Sequence, residues 1–436
     1  MAFISTAELY SHFLAHPVVS TDTRTISPGC IFFALKGGNF NGNRFAQEAI
    51  AKGAAYAVID EAEFSAEKTL PVPDVLKALQ DLARMHRQEL GKKGLNVFGL
   101  TGSNGKTTTK ELLARVLSRK FRTLYTQGNL NNHIGVPLTL LRLDDSHEMA
   151  VIEMGANHQQ EIAELSAIAL PQFGLITNVG LAHLEGFGGP EGVLKGKSEL
   201  FDHLALGGGT AFVLADDTRL LERSARMKRM TYGTQGNADV NGVVTEADPF
   251  VCFEWEGPGT GKHIVRTQMV GAYNLPNLLA ACAVGTYFGI SPAEIGAALS
   301  RYAPSNNRSQ AETRGTNRLI LDCYNANPSS MAAAIDNMAA MEAGKKILVL
   351  GDMFELGESS AEEHQRVVDR ISAKLPDATT LLVGKNFSAT KDTMGAVRLA
   401  DAAAAAEWLK QHLPEYALIL VKGSRGMKME QCAEVL

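Results

Sequence analysis

A chain of 436 residues exceeds the usual size of one domain, so two or three are expected. Hydrophobic residues make up 45% and charged residues 20%, which excludes a disordered chain and allows a sizeable core. The formal net charge of −5 argues against a broad basic surface, and so against nucleic acid or anionic membrane as partners.

The five cysteines, Cys30, Cys252, Cys282, Cys323 and Cys432, show neither paired disulfide spacing nor zinc spacing, which fits a reducing cytoplasm. The first residues include Glu8 and lack a basic segment followed by an apolar core, so no secretory signal is expected. Leu278 to Ile290 is the most apolar stretch, shorter than the roughly 20 residues of a membrane span, and reads as a buried helix.

Residues 1–92 read as a small α/β unit. Cys30 to Leu35 and Ala54 to Ile59 predict buried strands, Phe45 to Lys52 a short helix, and Val75 to Glu89 a longer one. Between the strands lies a loop rich in glycine and asparagine, Lys36 to Arg44, which includes Gly37. Upstream, Asp22 and Arg24 flank Thr23, in a pattern open to two readings: a contact for a sugar phosphate or a solvated turn.

Residues 93–304 form the second unit. The apolar run Leu95 to Leu100 precedes Thr101-Gly102-Ser103-Asn104-Gly105-Lys106-Thr107-Thr108-Thr109-Lys110, and a helical pattern follows from Glu111. Strand, glycine loop, then helix is the layout of a phosphate cradle, with loop and helix N–H groups aimed at phosphate oxygens. Lys106 would reach the outer phosphates and the Thr107 hydroxyl a magnesium ion. The general motif carries a glycine five positions before the Gly-Lys pair, where this chain has Leu100.

Strand and helix patterns then alternate, which predicts a mostly parallel sheet covered by helices. Asn129, Asn131, Asn132 and His133 offer donors and acceptors for a sugar or peptide, or make an asparagine-rich turn. Glu153 ends the buried run Met149 to Ile152, and His183 lies beyond the run Phe173 to Thr177, both where open α/β sheets bind ligands. Lys197 follows in Lys195-Gly196-Lys197-Ser198-Glu199. Val240 to Val265 reads as a hairpin excursion at the edge of the domain, and Asn274 and Asn277 either cap the apolar helix or read a purine edge.

The helix-breaking stretch Tyr302 to Arg308, which includes Asn306, marks a boundary. Residues 305–436 again alternate strand and helix. Their strand ends carry polar groups, among them Asp322, Tyr324, Asn325, Asn327, Asp352 and Lys422, as in a doubly wound sheet facing a cleft.

Taken together, Asn129 to Pro137, Asp322 to Pro328, Leu350 to Gly357 and Lys422 to Arg425 resemble the cytoplasmic Mur amide ligases of peptidoglycan synthesis, from near Asp22 to Lys428. The resemblance implies an α/β protein of three domains: a small N-terminal unit for a UDP-sugar, a central parallel-sheet ATPase domain, and a C-terminal Rossmann-like domain for the incoming amine. It implies ATP and magnesium (Mg2+) as cofactors. The implied partners are UDP-N-acetylmuramoyl-tripeptide and D-alanyl-D-alanine, joined through an acyl phosphate by a monomer. By the same resemblance, Lys106 and Thr107 match phosphate and magnesium positions, with Gly102, Asn104, Gly105 and Thr108 completing the loop. Glu153 and His183 match metal ligands, and Lys197 a lysine that is carbamylated in relatives. Asn274, Asn277, Arg308 and Asp322 match nucleotide positions, with Asp322 expected at the ribose. Asn41-Gly42-Asn43 departs from the Asp-Gly-His that relatives often carry. The rival expectations are a related ligase adding the third peptide residue, a folate polyglutamate ligase, and a silent nucleotide-dependent scaffold.

Overall fold

In the computed structural model, residues 2–180, 183–305, 307–391 and 395–436 are described; Leu181, Ala182 and Asn306 of the stretches above lie outside them. Among the described residues three main sheets follow one another along the chain, and Lys36–Gly37 pairs with Phe40–Asn41 in a small two-stranded one. The first is parallel, with strands Val19–Ser20, Ile31–Phe33, Tyr56–Ile59 and Thr69–Pro71 side by side in sequence order. It is preceded by helix Thr6–Ala15, held at its start by a reciprocal Ser5–Glu8 capping box that the sequence reading passed over.

The second sheet has nine strands. Asn96–Thr101 lies between Met149–Glu153 and Phe173–Ile176, and Thr123–Tyr125 closes that flank. On the other side Thr210–Leu214 and Lys228–Gly233 continue the parallel order, and Val240–Glu246, Cys252–Gly257 and Gly261–Arg266 finish it as an antiparallel edge. Strand order therefore reverses around Asn96–Thr101, which opens a crevice at its C-terminal end. Helix Val75–Lys92 joins the first two units: Val75, Leu79 and Leu82 share one core with Phe13 and Ile31 on one side and Leu140 and Ile162 on the other.

The third sheet runs Gln310–Arg314, Asn317–Asp322, Ala417–Lys422, Lys345–Gly351, Thr379–Val383 and Val397–Leu399, antiparallel only in its first pair. Side chains alternate across each strand, so Leu418 and Leu420 pack toward helices Pro328–Ala340 and Ser360–Lys374. Ala417, Ile419 and Val421 face helix Ala402–Gln411. Both faces are covered, as a doubly wound sheet requires.

Asp352, read from sequence as one of the strand-end groups facing a cleft, is instead structural. Its buried carboxylate accepts from Asn386 N at 3.0 Å and Phe387 N at 2.9 Å, pinning the loop after the neighbouring strand. Asp352→Ala leaves the buried Phe387 N and the half-buried Asn386 N without this acceptor. We expect it to cost about 2 to 4 kcal/mol, read as a lower urea midpoint for the C-terminal unit.

Candidate active site

The strand Asn96–Thr101 feeds helix Lys106–Leu117 through four loop residues. Gly102 and Gly105 have φ of +145° and +77°. A Cβ at Gly102 would lie 1.9 Å from Thr177 Oγ1, and one at Gly105 2.7 Å from Asn277 Oδ1. Backbone angle and space both demand glycine. No side chain caps the helix at Gly105, so its first N–H groups stay available to an anion. Lys106 curls over the loop, donating to Gly102 O at 2.7 Å and Ser103 O at 3.2 Å. Desolvation pulls its pKa down, Glu153 opposes this, and Arg308 adds to it.

The neighbouring strand end clamps the loop from behind. Thr177 Oγ1 donates to Asn104 O at 2.6 Å, and Asn178 both accepts from Asn104 N and donates to Asn104 O, each at 3.0 Å. Sequence reasoning assigned neither residue a role. The available signal was a polar pair just beyond a buried strand beside the phosphate loop.

Glu153 ends the strand on the other flank, in register with Leu100. Its buried carboxylate accepts from Thr107 Oγ1 at 2.9 and 3.1 Å and from Asn131 Nδ2 at 2.9 Å, while Glu153 N donates to Thr126 Oγ1 at 3.0 Å. A hydroxyl and an ionised carboxylate are hard oxygen donors, the set magnesium takes. Among the described residues no cluster of three or more histidine, cysteine or acidic side chains could hold a metal alone. Magnesium binds through one or two carboxylates and fills its other positions with substrate phosphates and water.

His183 lines the same cavity, but its Nδ1 meets Glu355 Oε2 of the C-terminal unit at 2.5 Å, which lowers the pKa of that carboxyl. Lys197, on helix Pro190–Gly207, sits behind the cavity wall and is 1% exposed. Its ammonium donates to Ala156 O at 3.0 Å and lies 4.7 Å above the Phe187 ring. Desolvation first, then the charge of Lys106, holds its pKa well below the ordinary lysine value, against the pull of Glu161 and Glu199.

The C-terminal unit supplies the facing wall. Asn327 caps helix Pro328–Ala340 by accepting from Ser330 N at 3.0 Å, and its Nδ2 donates across the cleft to Asn104 Oδ1 at 2.7 Å. Lys422, buried, meets Asp322 Oδ2 at 2.5 Å and Asn325 O at 3.2 Å. The Arg308 guanidinium stacks 3.5 Å from the centre of the Tyr324 ring. Together the two units enclose a cavity of about 750 Å³ that also reaches Thr108, Asn129, Asn132 and His133.

Two sequence alternatives resolve differently. Asn274 and Asn277 do not cap the apolar helix Leu275–Tyr287 with their side chains. Asn274 Nδ2 donates to Val270 O at 2.9 Å, Asn277 Nδ2 to Asn274 Oδ1 at 3.0 Å, and Thr109 Oγ1 to Asn277 Oδ1 at 3.1 Å, a buried chain at the cavity wall. In the asparagine-rich segment, Asn132 does make a turn, accepting from Ile134 N and Gly135 N, while Asn131 turns to Glu153. Asp22, Arg24 and Gly37 do not line this cavity. Asp22 and Arg24 pair at 2.6 Å on an exposed turn, and Arg24 holds the Asp22 carboxyl at about 2; Gly37 sits in an exposed hairpin.

Three family models match the chain in order. The Mur ligase family catalytic domain covers residues 17–87, the Mur ligase middle domain 100–285, and the Mur ligase glutamate ligase domain 307–425. The UDP-N-acetylmuramoyl-tripeptide–D-alanyl-D-alanine ligase of Escherichia coli is 38% identical over 99% of this chain and 96% of its own length. A crystal structure of MurF from Acinetobacter baumannii superposes with a TM-score of 0.85 at 34% identity, covering 96% of this chain and 92% of its own. The MurF ligase of Thermotoga maritima in complex with ADP gives 0.87 at 27% identity, with 97% of each chain covered. Three family domains in this order, the second and third meeting at a phosphate loop with a carboxylate beside it, are matched along nearly the whole length of such relatives: the chain belongs to the Mur ligase family.

Proposed function

We propose that the chain uses ATP to join D-alanyl-D-alanine to UDP-N-acetylmuramoyl-tripeptide through an acyl phosphate, forming the pentapeptide precursor of peptidoglycan. The observation that carries this is one cavity in which the phosphate loop, the buried Thr107–Glu153 pair and the capped helix of the C-terminal unit converge. In this reading residues 1–92 hold the UDP-sugar, 93–304 hold ATP, and 305–436 present the amine. Asp22, Arg24 and Gly37 then belong to the sugar end of a long substrate, away from the chemistry.

The reaction follows from what the side chains can do. Lys106 releases its loop carbonyls to take phosphate oxygens, and the first N–H groups of its helix bind beside it. This is positioning and charge stabilisation while the terminal phosphoryl passes to the peptide's carboxylate. Thr107 and Glu153 would hold magnesium, with His183 and a carbamylated Lys197 nearby, and the ion would supply positive charge against the negative charge gathered on the phosphates. Asn274, Asn277, Arg308 and Asp322 hold the nucleoside, while Asn129, Asn131, Asn132, His133, Tyr324, Asn325, Asn327 and Lys422 hold the peptide and the amine. The amine attacks the activated carbonyl, and phosphate leaves.

The cysteines are free and buried, in keeping with a cytoplasmic enzyme, and among the described residues no helix is long and apolar enough to cross a membrane. The test is ADP release with UDP-muramoyl-tripeptide and a panel of amines. D-alanyl-D-alanine is expected to support turnover, and glutamate or a single diamino acid is not. Turnover with one of those amines alone would move the chain to another branch of the fold. Silence with all of them would make it a scaffold.

A further inference from the structure

Lys110 carries a buried charge that neither phosphate binding nor ligation uses. It lies one helical turn beyond Lys106, and its side chain is 1% exposed. Its ammonium stands 3.7 Å from Glu111 Oε1 and 3.9 Å from Glu153 Oε2, with the Tyr125 ring centre at 5.6 Å. Both oxygens lie beyond hydrogen-bond length, so the interaction is charge balance, not a fixed bond. Glu111 is in turn held by Tyr302 Oη at 2.8 Å, at the start of the segment that leads to the C-terminal unit.

A buried ammonium is costly unless an anion answers it, and a buried carboxylate likewise. Here the answer to Glu153 is a lysine with no route to solvent. A divalent ion arriving at Thr107 and Glu153 would come to rest beside this fixed positive charge, and repulsion between like charges is strong in a water-poor interior. Phosphate oxygens would cancel that repulsion by adding negative charge to the same space. We propose that Lys110 is the resident counter-ion of Glu153, which makes cation binding conditional on the nucleotide's phosphates. The inference rests on the reading of Glu153 as the cation's ligand.

The test uses Mn2+ as the probe, with free ion read by electron paramagnetic resonance on the full chain, with and without a non-hydrolysable ATP analogue. The unaltered protein should bind Mn2+ weakly alone and tightly with the analogue. Lys110→Met should tighten nucleotide-free binding by roughly tenfold or more and change binding in the presence of the analogue far less; Lys110→Arg should keep the original contrast. Nucleotide-free binding that is unchanged or weaker in Lys110→Met overturns the proposal. Should that variant not fold, Glu111→Gln leaves the lysine to Glu153 alone and should weaken nucleotide-free binding severalfold; no change, or tightening, overturns it equally. Glu153→Gln separates the two layers. Analogue-dependent binding that survives it defeats the metal reading, whereas its loss beside an indifferent Lys110→Met defeats only the counter-ion.

Discussion

Lys106→Met is expected to lower kcat by roughly a thousandfold, with a smaller rise in the KM for ATP, because the charge it removes matters most as the phosphoryl group moves. The methionine keeps the unbranched stem of the side chain and lacks only its terminal ammonium, so the fold should persist, as circular dichroism would show. Lys106→Arg should rescue little. The seat is defined by two loop carbonyls at 2.7 and 3.2 Å, and a planar fork needs more room than an ammonium. A Lys106→Met enzyme that turned over at the original rate would remove the phosphate loop from the chemistry.

Lys197→Ala is expected to lose most activity, roughly a hundredfold or more, and to regain part of it when short carboxylic acids such as acetate are added. The physical reason is a conflict of charge. Burial first, and then the charge of Lys106, holds the pKa of Lys197 well below the ordinary lysine value, which raises the share of neutral amine. A neutral amine can attack carbon dioxide: a nitrogen–carbon bond forms as one carbon–oxygen π bond opens, a proton leaves the nitrogen for water, and the amine becomes an oxygen-bearing anion. Such a product would attract the charge of Lys106 and would supply a donor suited to magnesium. Turnover should accordingly fall in carbonate-free buffer and return with bicarbonate. An active Lys197→Ala variant, indifferent to added acids, would count against the carbamate.

What the sequence made legible, and what it did not, follows the range of the interactions. The phosphate loop announced itself because its glycines, lysine and threonine are consecutive, and the parallel strands because their apolar runs are buried on both faces. Glu153 and His183 could be placed beyond strand ends by the same logic. The contacts that assemble the cavity join residues far apart in sequence. Asn104 meets Asn327, and His183 meets Glu355, and no local pattern encodes either pairing. Asp352 misled for the opposite reason: a carboxylate after a strand serves equally well as a ligand or as an anchor for neighbouring N–H groups. The first helix was missed although Ser5 and Glu8 stand at capping-box spacing, a signal easily lost in so short a segment.

The way Lys106 folds onto its own loop sets a threshold for what that loop will accept. Its ammonium already has two oxygen partners, Gly102 O and Ser103 O, so an anion gains at this lysine only what exceeds those two bonds. A chain of phosphates offers several oxygens at once and spreads them along the neighbouring N–H groups. Nucleoside monophosphates and free inorganic phosphate should therefore compete poorly, leaving the loop to discriminate by the number of linked phosphates before the base is ever read.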